Sequence, residues 1–255
     1  MIERIDVVVP ARNEEALLGA CLESVIVAAE ALPDGIPSRI VVVLDDCTDG
    51  SSDVAHSFGS RIRIVRTAFS NVGRARAAGV EEVLDGATSR RTHWICSTDA
   101  DSVVPRMWLR QHRAAAEAGA LLAVGRVEPR PTDIDAAVLR AWNDAHRDPE
   151  RHVYGANLGV RADAYLLAGG FPPLASGEDE ALVQAVEALD PGLLPALGRE
   201  HAAGPLVVEL LHSVVDTSGR TQGRTAGGFA GYLRLLTDRS PHPAVNPLAA
   251  ERPPA

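Results

Sequence analysis

The sequence predicts an α/β fold with a mainly parallel, Rossmann-like sheet that is flanked by helices. Short runs rich in β-branched residues, such as Val7-Val8-Val9, lack polar alternation, which is typical of strands buried on both faces. Segments with helical periodicity lie between these runs and are joined to them by short links. Because parallel strands need a crossover between them, this alternation favours a parallel sheet with helices on its faces.

The first half of the chain contains the regular part of this pattern. One helix is clear from apolar residues that recur at a 3.6-residue period from Leu17 to Ile26. A second helix is expected to begin at Ser51 or Ser52, because serine is a favourable residue at a helix start. We expect further helices at residues 71–84 and 105–118. We expect strands at residues 2–9, 40–44, 62–65, 94–97 and 121–127.

The second half of the chain is less regular. One more strand is expected at residues 206–211. Helices are expected at residues 134–145 and 161–168, from Gly177 onward, and at residues 229–236. The tail at residues 238–255 is rich in Pro and Ala, and we expect it to be disordered.

Composition excludes several classes of function. The chain has 255 residues and a net charge of −9, which gives a nucleic-acid-binding role no electrostatic support. No stretch approaches the ~18 apolar residues of a membrane span, and the first residues do not resemble a signal peptide. Cys21, Cys47 and Cys96 are widely spaced, which argues against a zinc site and favours reduced thiols and a cytoplasmic location.

Two carboxylates follow the strand that is predicted at residues 94–97. Asp99 and Asp101 are spaced so that both side chains of an extended backbone point to the same side. Converging carboxylates repel each other unless a cation lies between them, and oxygen ligands suit Mg²⁺ or Mn²⁺ shared with substrate phosphates. Ligands of open parallel sheets bind beyond the carboxyl ends of the strands. We therefore expect a site here, the alternative being a loop with two solvated acids.

Five short motifs along the chain carry a family resemblance, because they occur in the order that the family shows. The sequence resembles family 2 glycosyltransferases, which have the GT-A fold, over roughly residues 2–190. Each motif is loose by itself, but the five together at natural spacing are a strong signal. They are Val8-Val9-Pro10-Ala11-Arg12-Asn13-Glu14-Glu15, Leu44-Asp45-Asp46-Cys47-Thr48-Asp49-Gly50, Asn71-Val72-Gly73-Arg74-Ala75-Arg76, Asp99-Ala100-Asp101, and Gly169-Gly170-Phe171-Pro172 leading to Glu178-Asp179.

The resemblance implies a nucleoside and diphosphate site. It places an acidic residue at the Asp46 position against the base, with Asp45 beside it, and a basic residue, Arg74, near the diphosphate. A helix start with a guanidinium is a natural phosphate site. Plainer roles stay open, namely a turn for Asp46 and solvated first-turn positions for Glu14 and Arg74. The residues implied to line the nucleoside pocket are Pro10, Arg12 and Glu14.

The resemblance also implies a metal site. Asp99 would touch the ribose or the metal, and Asp101 would bind the metal directly. Some relatives carry a late His as a further ligand, a role that His212 would take here unless it is structural. Arg220 and Arg224, which are flanked by glycines, would close over the diphosphate as a flexible flap, or else be surface arginines.

The acidic pair Glu178-Asp179 resembles the pair from which inverting members take their general base. Asp179 matches the usual position of that base. The alternative is that these acids stabilise the start of the helix that follows. The family tends to line its acceptor pocket with the region that here contains His146, His152 and Tyr154.

We therefore expect a single glycosyltransferase domain at residues 1–237, with a nucleotide-sugar-binding half at 1–128 and an acceptor-side half at 129–237. The resemblance implies transfer of a sugar from a UDP- or GDP-sugar to a hydroxyl-bearing acceptor, with Mn²⁺ or Mg²⁺ and with inversion. A homodimer stays open.

Three rival functions stay open on the sequence. The first is a retaining transferase of the same fold. The second is a nucleotidylyltransferase, which should carry a Gly-rich basic loop directly after the first strand, whereas residues 10–15 contain no glycine. The third is a non-catalytic module that binds nucleotide sugars.

Overall fold

A computed structural model describes residues 1–86, 89–146, 152–198, 204–223 and 228–239 of the chain. Within these residues, eight strands form one sheet. The strands are β1 (Arg4–Ala11), β2 (Ile40–Asp45), β3 (Arg63–Thr67), β4 (His93–Ser97), β5 (Ser102–Val103), β6 (Leu122–Pro129), β7 (Leu158–Arg161) and β8 (Val207–Thr217).

The sheet has the order β3-β2-β1-β4-β7-β6-β8-β5. Strands β1 to β4 pair in parallel, as the alternation of strands and helices predicts. Strand β7 is antiparallel to both of its neighbours, β8 is parallel to β6, and the short β5 is antiparallel to β8. The α/β fold with a mainly parallel sheet is thus confirmed.

Helices cover both faces of the sheet. They are α1 (Leu18–Glu30), α2 (Ser51–Ser57), α3 (Val72–Leu84), α4 (Trp108–Glu117), α5 (Ala136–Ala145), α6 (Ala162–Leu167), α7 (Glu178–Glu187) and α8 (Phe229–Arg239). Side chains of α1, α2 and α4 share one core with Val7 and Val9, whereas those of α3, α6 and α7 share a second core with Val8. This division follows from the alternation of side chains along β1.

A third apolar cluster lies apart from the sheet. It joins α5 to α8 through Val138, Trp142, Leu233 and Leu236. The helix predicted at residues 229–236 is present as α8, and it continues to Arg239. Asp238 and Arg239 are therefore helical, and the rest of the tail that we expect to be disordered, residues 240–255, lies outside the described residues.

Strand β8 differs most from its prediction. We expect it at residues 206–211, but it continues to Thr217 and pairs with β6 on both sides of an irregularity next to Gly125. Its second part alternates buried Ser213, Val215 and Thr217 with more exposed neighbours. Polar residues on a half-buried strand weaken the apolar pattern, so the strand predicted from the sequence is shorter than the observed one. The extension brings Thr217 and the residues after it to the carboxyl ends of β1 and β4.

Candidate active site

A cavity of about 600 Å³ lies beyond the carboxyl ends of β1, β2 and β4. Open parallel sheets bind ligands at this edge. The starts of α3, α7 and α8, the end of β8 and residues 152–156 complete its walls. The cavity brings together most of the residues that the sequence predicts for the site, namely Pro10, Arg12, Glu14, Asp45, Asp99, Asp101, Asp179 and Arg220.

Asp99 is held by a buried arginine that the sequence analysis overlooks. Arg76 Nη2 donates to Asp99 Oδ1 at 2.5 Å, and the side chain of Arg76 is 3% exposed. The Asp99 side chain is 39% exposed, so the rest of its carboxylate faces the cavity. Burial lowers the pKa of Arg76, but the charges of Asp99 and Glu178 outweigh this and raise the pKa above its ordinary value. Arg76 is therefore a permanent cation beside the predicted metal ligand.

Arg76 also connects the two sides of the cavity. Its Nε donates to Glu178 Oε1 at 3.0 Å, and its Nη1 donates to the backbone oxygen of Gly155 at 3.1 Å and to the Ser97 hydroxyl. These partners lie on α7, on the turn before β7 and on β4. A single guanidinium thus aligns Asp99 with the segment that carries Asp179, which is the kind of multidentate contact that Arg makes best.

Asp101 is held by a second arginine. Arg220 Nη2 lies 2.9 Å from Asp101 Oδ2, and the same guanidinium binds both carboxylate oxygens of Glu14 at 2.7 and 2.9 Å. Glu14, which the family resemblance implies for the nucleoside pocket, lines the cavity. Its carboxylate forms this bidentate pair, since Glu14 is buried and needs a partner for its charge.

The carboxylates outnumber the cations at this point of the cavity. Among the described residues, Glu14, Asp99 and Asp101 lie beside Arg76 and Arg220, and Arg76 also serves Glu178. Burial and then the charge of Asp99 raise the pKa of Asp101 to about 6, although Arg220 acts in the opposite direction. This excess of negative charge is what a divalent cation would relieve.

The described residues fit a divalent cation that is shared with a ligand. No group of three or more His, Cys, Asp or Glu side chains within them could hold a metal alone. Asp101 Oδ1 has only two long contacts, 3.3 Å to the Thr217 hydroxyl and 3.5 Å to the Ser102 hydroxyl. One or two carboxylates with phosphate oxygens completing the shell are the usual arrangement for Mg²⁺.

Asp179 faces the cavity from the first turn of α7. Its Oδ2 accepts a hydrogen bond from Gly155 N at 2.6 Å, and its Oδ1 accepts one from Glu180 N at 2.8 Å. The side chain is half-buried, and each carboxylate oxygen keeps a second lone pair for a substrate proton. A Cβ on Gly155 would meet Arg76 Nη2 at 2.5 Å, so a glycine here permits the close approach of the guanidinium.

Glu178 precedes Asp179 and has a different environment. It is buried, and its carboxylate accepts from Arg76. Burial raises its pKa and Arg76 lowers it, with a net increase above the ordinary value. The two neighbouring acids are therefore divided between a buried ion pair and a position in reach of the cavity.

The nucleoside end of the predicted site is formed around Asp45 and Asp46. Asp45 is buried and accepts from Phe69 N, Asn71 N and the Thr67 hydroxyl at 2.7 to 2.9 Å. These bonds hold the loop between β3 and α3. Asp46, whose backbone is left-handed, does not line the cavity. It lies at the rim and accepts from Arg12 at 3.5 Å.

Besides Asp46, two predicted residues, Arg74 and His212, do not line the cavity. Arg74 is exposed, and its guanidinium stacks at 4.0 Å over the ring of Phe69. His212 is exposed within β8, five residues before Thr217, which separates it from Asp101 by on the order of 15 Å along the strand. We therefore leave His212 out of the metal site. Arg224 lies outside the described residues.

Five rings form the wall of the cavity beside Asp179, and we call this group the aromatic wall. Its rings come from the end of α5, the segment before β7 and the start of α8. Trp142 is buried behind it and contacts four of the five rings, with a centroid distance of 3.7 Å to the nearest, His146. The members are His146, His152, Tyr154, Phe229 and Tyr232.

A signal for the overlooked Arg76 was present in the sequence. Arg76 precedes Gly79 and Val80 by three and four residues, so all three lie on one face of α3, and that face is buried. A charged residue on the buried face of a helix needs a partner and is a candidate for a site. Phe229 and Tyr232 gave no comparable signal, because their position at the cavity depends on how α8 packs against α5.

The comparisons with known proteins agree with this geometry. A family model described as glycosyl transferase family 2 matches residues 6–167. The fold is similar to that of S. aureus TarS 1–349 in complex with UDP-GlcNAc, with a TM-score of 0.59, 14% identity, and coverage of 92% of this chain and 66% of that chain.

A second similar structure is glucosyl-3-phosphoglycerate synthase from Mycobacterium tuberculosis in complex with Mn²⁺, UDP and phosphoglyceric acid. Its TM-score is 0.54 at 17% identity, with coverage of 92% of this chain and 76% of that chain. At these identities the likeness concerns the fold. The chain spans 55% and 61% of the length of two further TarS structures. No curated protein matches the chain by sequence. No helix in the described part of the chain is long and apolar enough to span a membrane.

Proposed function

The chain belongs to glycosyl transferase family 2, and from this premise we propose that it transfers a sugar from a nucleoside diphosphate sugar to a hydroxyl acceptor. One observation carries the proposal. A single cavity contains the carboxylates Asp99 and Asp101 on one side and the half-buried carboxylate Asp179 on the other, and Arg76 connects the two sides. This is the arrangement that a charged donor and a hydroxyl nucleophile require.

The donor end of the cavity suits a diphosphate and Mn²⁺ or Mg²⁺. Asp99 and Asp101 would hold the ion, with phosphate oxygens as its remaining ligands. When bound, the ion acts as a Lewis acid that neutralises charge on the departing diphosphate. Arg220, which is about one-third exposed, lies 2.9 Å from Asp101 and would contribute further positive charge beside the diphosphate. Two similar structures of glucosyl-3-phosphoglycerate synthase contain UDP with Mg²⁺ or Mn²⁺, which supports this choice.

The transfer step is assigned to Asp179. The acceptor oxygen forms a bond to the anomeric carbon while the bond from that carbon to the diphosphate oxygen breaks. The nucleoside diphosphate leaves with the electron pair, and the acceptor proton passes to a carboxylate oxygen of Asp179. A base on the face opposite the leaving group gives inversion. The hydrogen bonds from Gly155 N and Glu180 N hold this carboxylate in place.

Calorimetry with UDP- and GDP-sugars in Mn²⁺ and in EDTA tests the donor site. We expect binding of one nucleotide class, with most of the affinity lost in EDTA because two carboxylates and a diphosphate repel each other without a cation. Equal affinity in both buffers would overturn the metal role. Absence of binding by every nucleotide sugar would overturn the proposed function. The anomeric configuration of the product, read by NMR, distinguishes inversion from retention.

A further inference from the structure

The aromatic wall lies next to the proposed base along the chain and in space. Tyr154 belongs to the wall, and the next residue, Gly155, donates its backbone N–H to Asp179 at 2.6 Å. The charge of Asp179 is also among the causes that raise the pKa of Tyr154, after burial. An acceptor whose hydroxyl reaches Asp179 must therefore lie against these rings.

We propose that the aromatic wall binds the acceptor as a neutral pyranose ring, so that the acceptor is a carbohydrate. This inference rests on the proposed function and names the class of its second substrate. A pyranose has a face of C–H groups that packs on an aromatic ring and a rim of hydroxyls that need polar partners. Aromatic side chains offer large, stiff apolar area, and Tyr and His add a polar atom at the ring edge.

The wall is preorganised for a flat ligand. Trp142 is 2% exposed and packs behind His146 with an interplanar angle of 21°. His146 Nε2 lies 3.0 Å from the Tyr154 hydroxyl, which fixes both rings. The ring of Tyr232 meets Trp142 at 77°, and the residue lines the cavity and remains 38% exposed, so part of it is available to a ligand. Rings that are already ordered lose little entropy on binding.

The charges beside the wall favour a neutral acceptor over an anionic one. Glu178, Asp179 and Glu180 line this side of the cavity. Two described arginines act here, and both are already paired. Arg76 is engaged with Asp99 and Glu178, and Arg126, whose charge acts to lower the pKa of Tyr154 and of His146, lies 3.7 Å from Glu128. An acceptor carboxylate or phosphate would therefore meet three acids and compete with other carboxylates for these arginines. Pyranose hydroxyls carry no charge and can donate to these acids.

The imidazole of His152 and the hydroxyl of Tyr232 provide polar groups for the rim of such a ring. Neither makes a hydrogen bond among the contacts of the described residues, whereas both lie at the cavity. A ligand that stacks on Tyr232 would place its hydroxyls near these two atoms and near Asp179.

Saturation-transfer NMR with UDP and Mg²⁺, which is diamagnetic and leaves ligand signals sharp, tests the inference. The probes are methyl α- and β-glucopyranoside and methyl β-galactopyranoside, with 3-phosphoglycerate and glycerol for comparison. We expect signals from ring C–H protons of at least one pyranoside and none from the other two compounds. Tyr232→Leu should raise the Kd of that pyranoside about 3- to 10-fold through lost stacking, and Tyr232→Phe should raise it less.

The control is Leu235→Ala on the same helix, since Leu235 is exposed and does not line the cavity. It should leave pyranoside binding unchanged. Binding of 3-phosphoglycerate in preference to every pyranoside, or a Tyr232→Leu variant that binds as the parent does, would overturn the inference. Calorimetry with UDP separates the two proposals. If the chain binds UDP but no pyranoside, the carbohydrate acceptor is wrong and the proposed transferase function stands.

Discussion

Two clusters of buried charge lie at opposite ends of the same strands, β1 and β4. The amino-end cluster consists of Asp6, Arg4, Arg39 and His93. Asp6 accepts from Arg4 Nε and from Arg39 N at 2.7 Å each, and His93 Nε2 lies 3.1 Å from it. The carboxyl-end cluster contains Glu14, Arg76, Asp99, Asp101, Glu178 and Arg220.

The clusters differ in charge balance and in access. One acid meets several donors at the amino end, and no member of that cluster lines the cavity. Burial would raise the pKa of Asp6, but the hydrogen bonds from His93 and Arg4 outweigh it and lower the pKa. At the carboxyl end the acids of this cluster outnumber its arginines, and burial, followed by the charge of Asp99, raises the pKa of Asp101 to about 6. The single acid of the amino-end cluster has several donors and stabilises the fold, whereas the carboxyl-end cluster has acids in excess of its arginines and can accept a cation.

Burial and charge alone do not identify a site. Both clusters contain fully buried carboxylates or guanidiniums, and both join β1 to β4. The difference lies in the end of the sheet, because loops after parallel strands open a crevice only at the carboxyl ends. Variants at the two ends should therefore separate activity from stability.

The largest effect is expected for Asp179→Asn at the carboxyl end. The amide cannot accept the acceptor proton, so kcat should fall by about 10² to 10⁴-fold while donor affinity persists. Steady-state transfer assays and calorimetry measure the two quantities. Glu180→Gln, the next residue, should lose far less activity. A kcat near that of the parent, with chemistry rate-limiting, would remove Asp179 from the mechanism.

Arg76→Ala should cost both activity and stability. It leaves Glu178 buried and Asp99 without its cation, and breaking a buried pair in this way costs about 3–5 kcal/mol of unfolding free energy. Urea denaturation measures the loss. Adding Glu178→Gln should restore part of it, because the unpaired charge is removed. A loss below about 1 kcal/mol would place the pair among weak surface contacts.

Asp6→Asn should cost stability without affecting the donor. We expect about 3 kcal/mol at pH 7, the lower end for a buried pair, since Arg4 and Arg39 are partly exposed. The folded pKa of Asp6 lies below its unfolded value of about 3.9. Its stabilisation is therefore present above that value and is lost as pH falls through the folded pKa.

Urea midpoints at pH 7 and near pH 3 measure the difference in stability between the parent and Asp6→Asn. This difference should be smaller in acid. Donor Kd and kcat of the folded variant should match those of the parent. A tenfold change in donor Kd would show that the two ends of the strands are coupled and that the amino-end cluster also serves the donor site.

Asp101→Asn should weaken donor binding in Mn²⁺ by about 100-fold, because loss of an outer-shell partner already costs about 10- to 100-fold and Asp101 is proposed as a direct ligand. Calorimetry in Mn²⁺ and EDTA measures it, and the loss should disappear in EDTA. Asp34→Asn, an exposed acid away from the cavity, is the matched control. If the loss persisted unchanged in EDTA, Asp101 would contact the donor itself and not the metal.

Arg74→Ala should have the smallest effect. The exposed stack on Phe69 contributes about 0.5–1 kcal/mol, and UDP affinity should change by less than a few-fold. Arg76→Ala, two positions away, should by contrast lose both activity and stability. A tenfold loss of UDP affinity in Arg74→Ala would return this residue to the diphosphate site that the family resemblance implies.

Much of this molecule was determined by local signals in its sequence. The β-branched runs of β1 and β2 and the apolar stripe of α1 follow from periodicity. Asn71 caps α3 by accepting from Arg74 N at 2.9 Å. Because the acidic motifs follow directly on strands, their place at the carboxyl edge was also predictable, as were Asp99, Asp101 and Asp179 as cavity residues.

Only the tertiary structure decided which charges meet. Arg76 binds Glu178 across 102 residues, and Arg220 binds Glu14 across 206 residues. Helical and strand periodicity report which face of an element is buried, but they carry no information about the partner that covers it. The same reason applies to the aromatic wall, whose rings come from three segments that the packing of α8 on α5 brings together around Trp142.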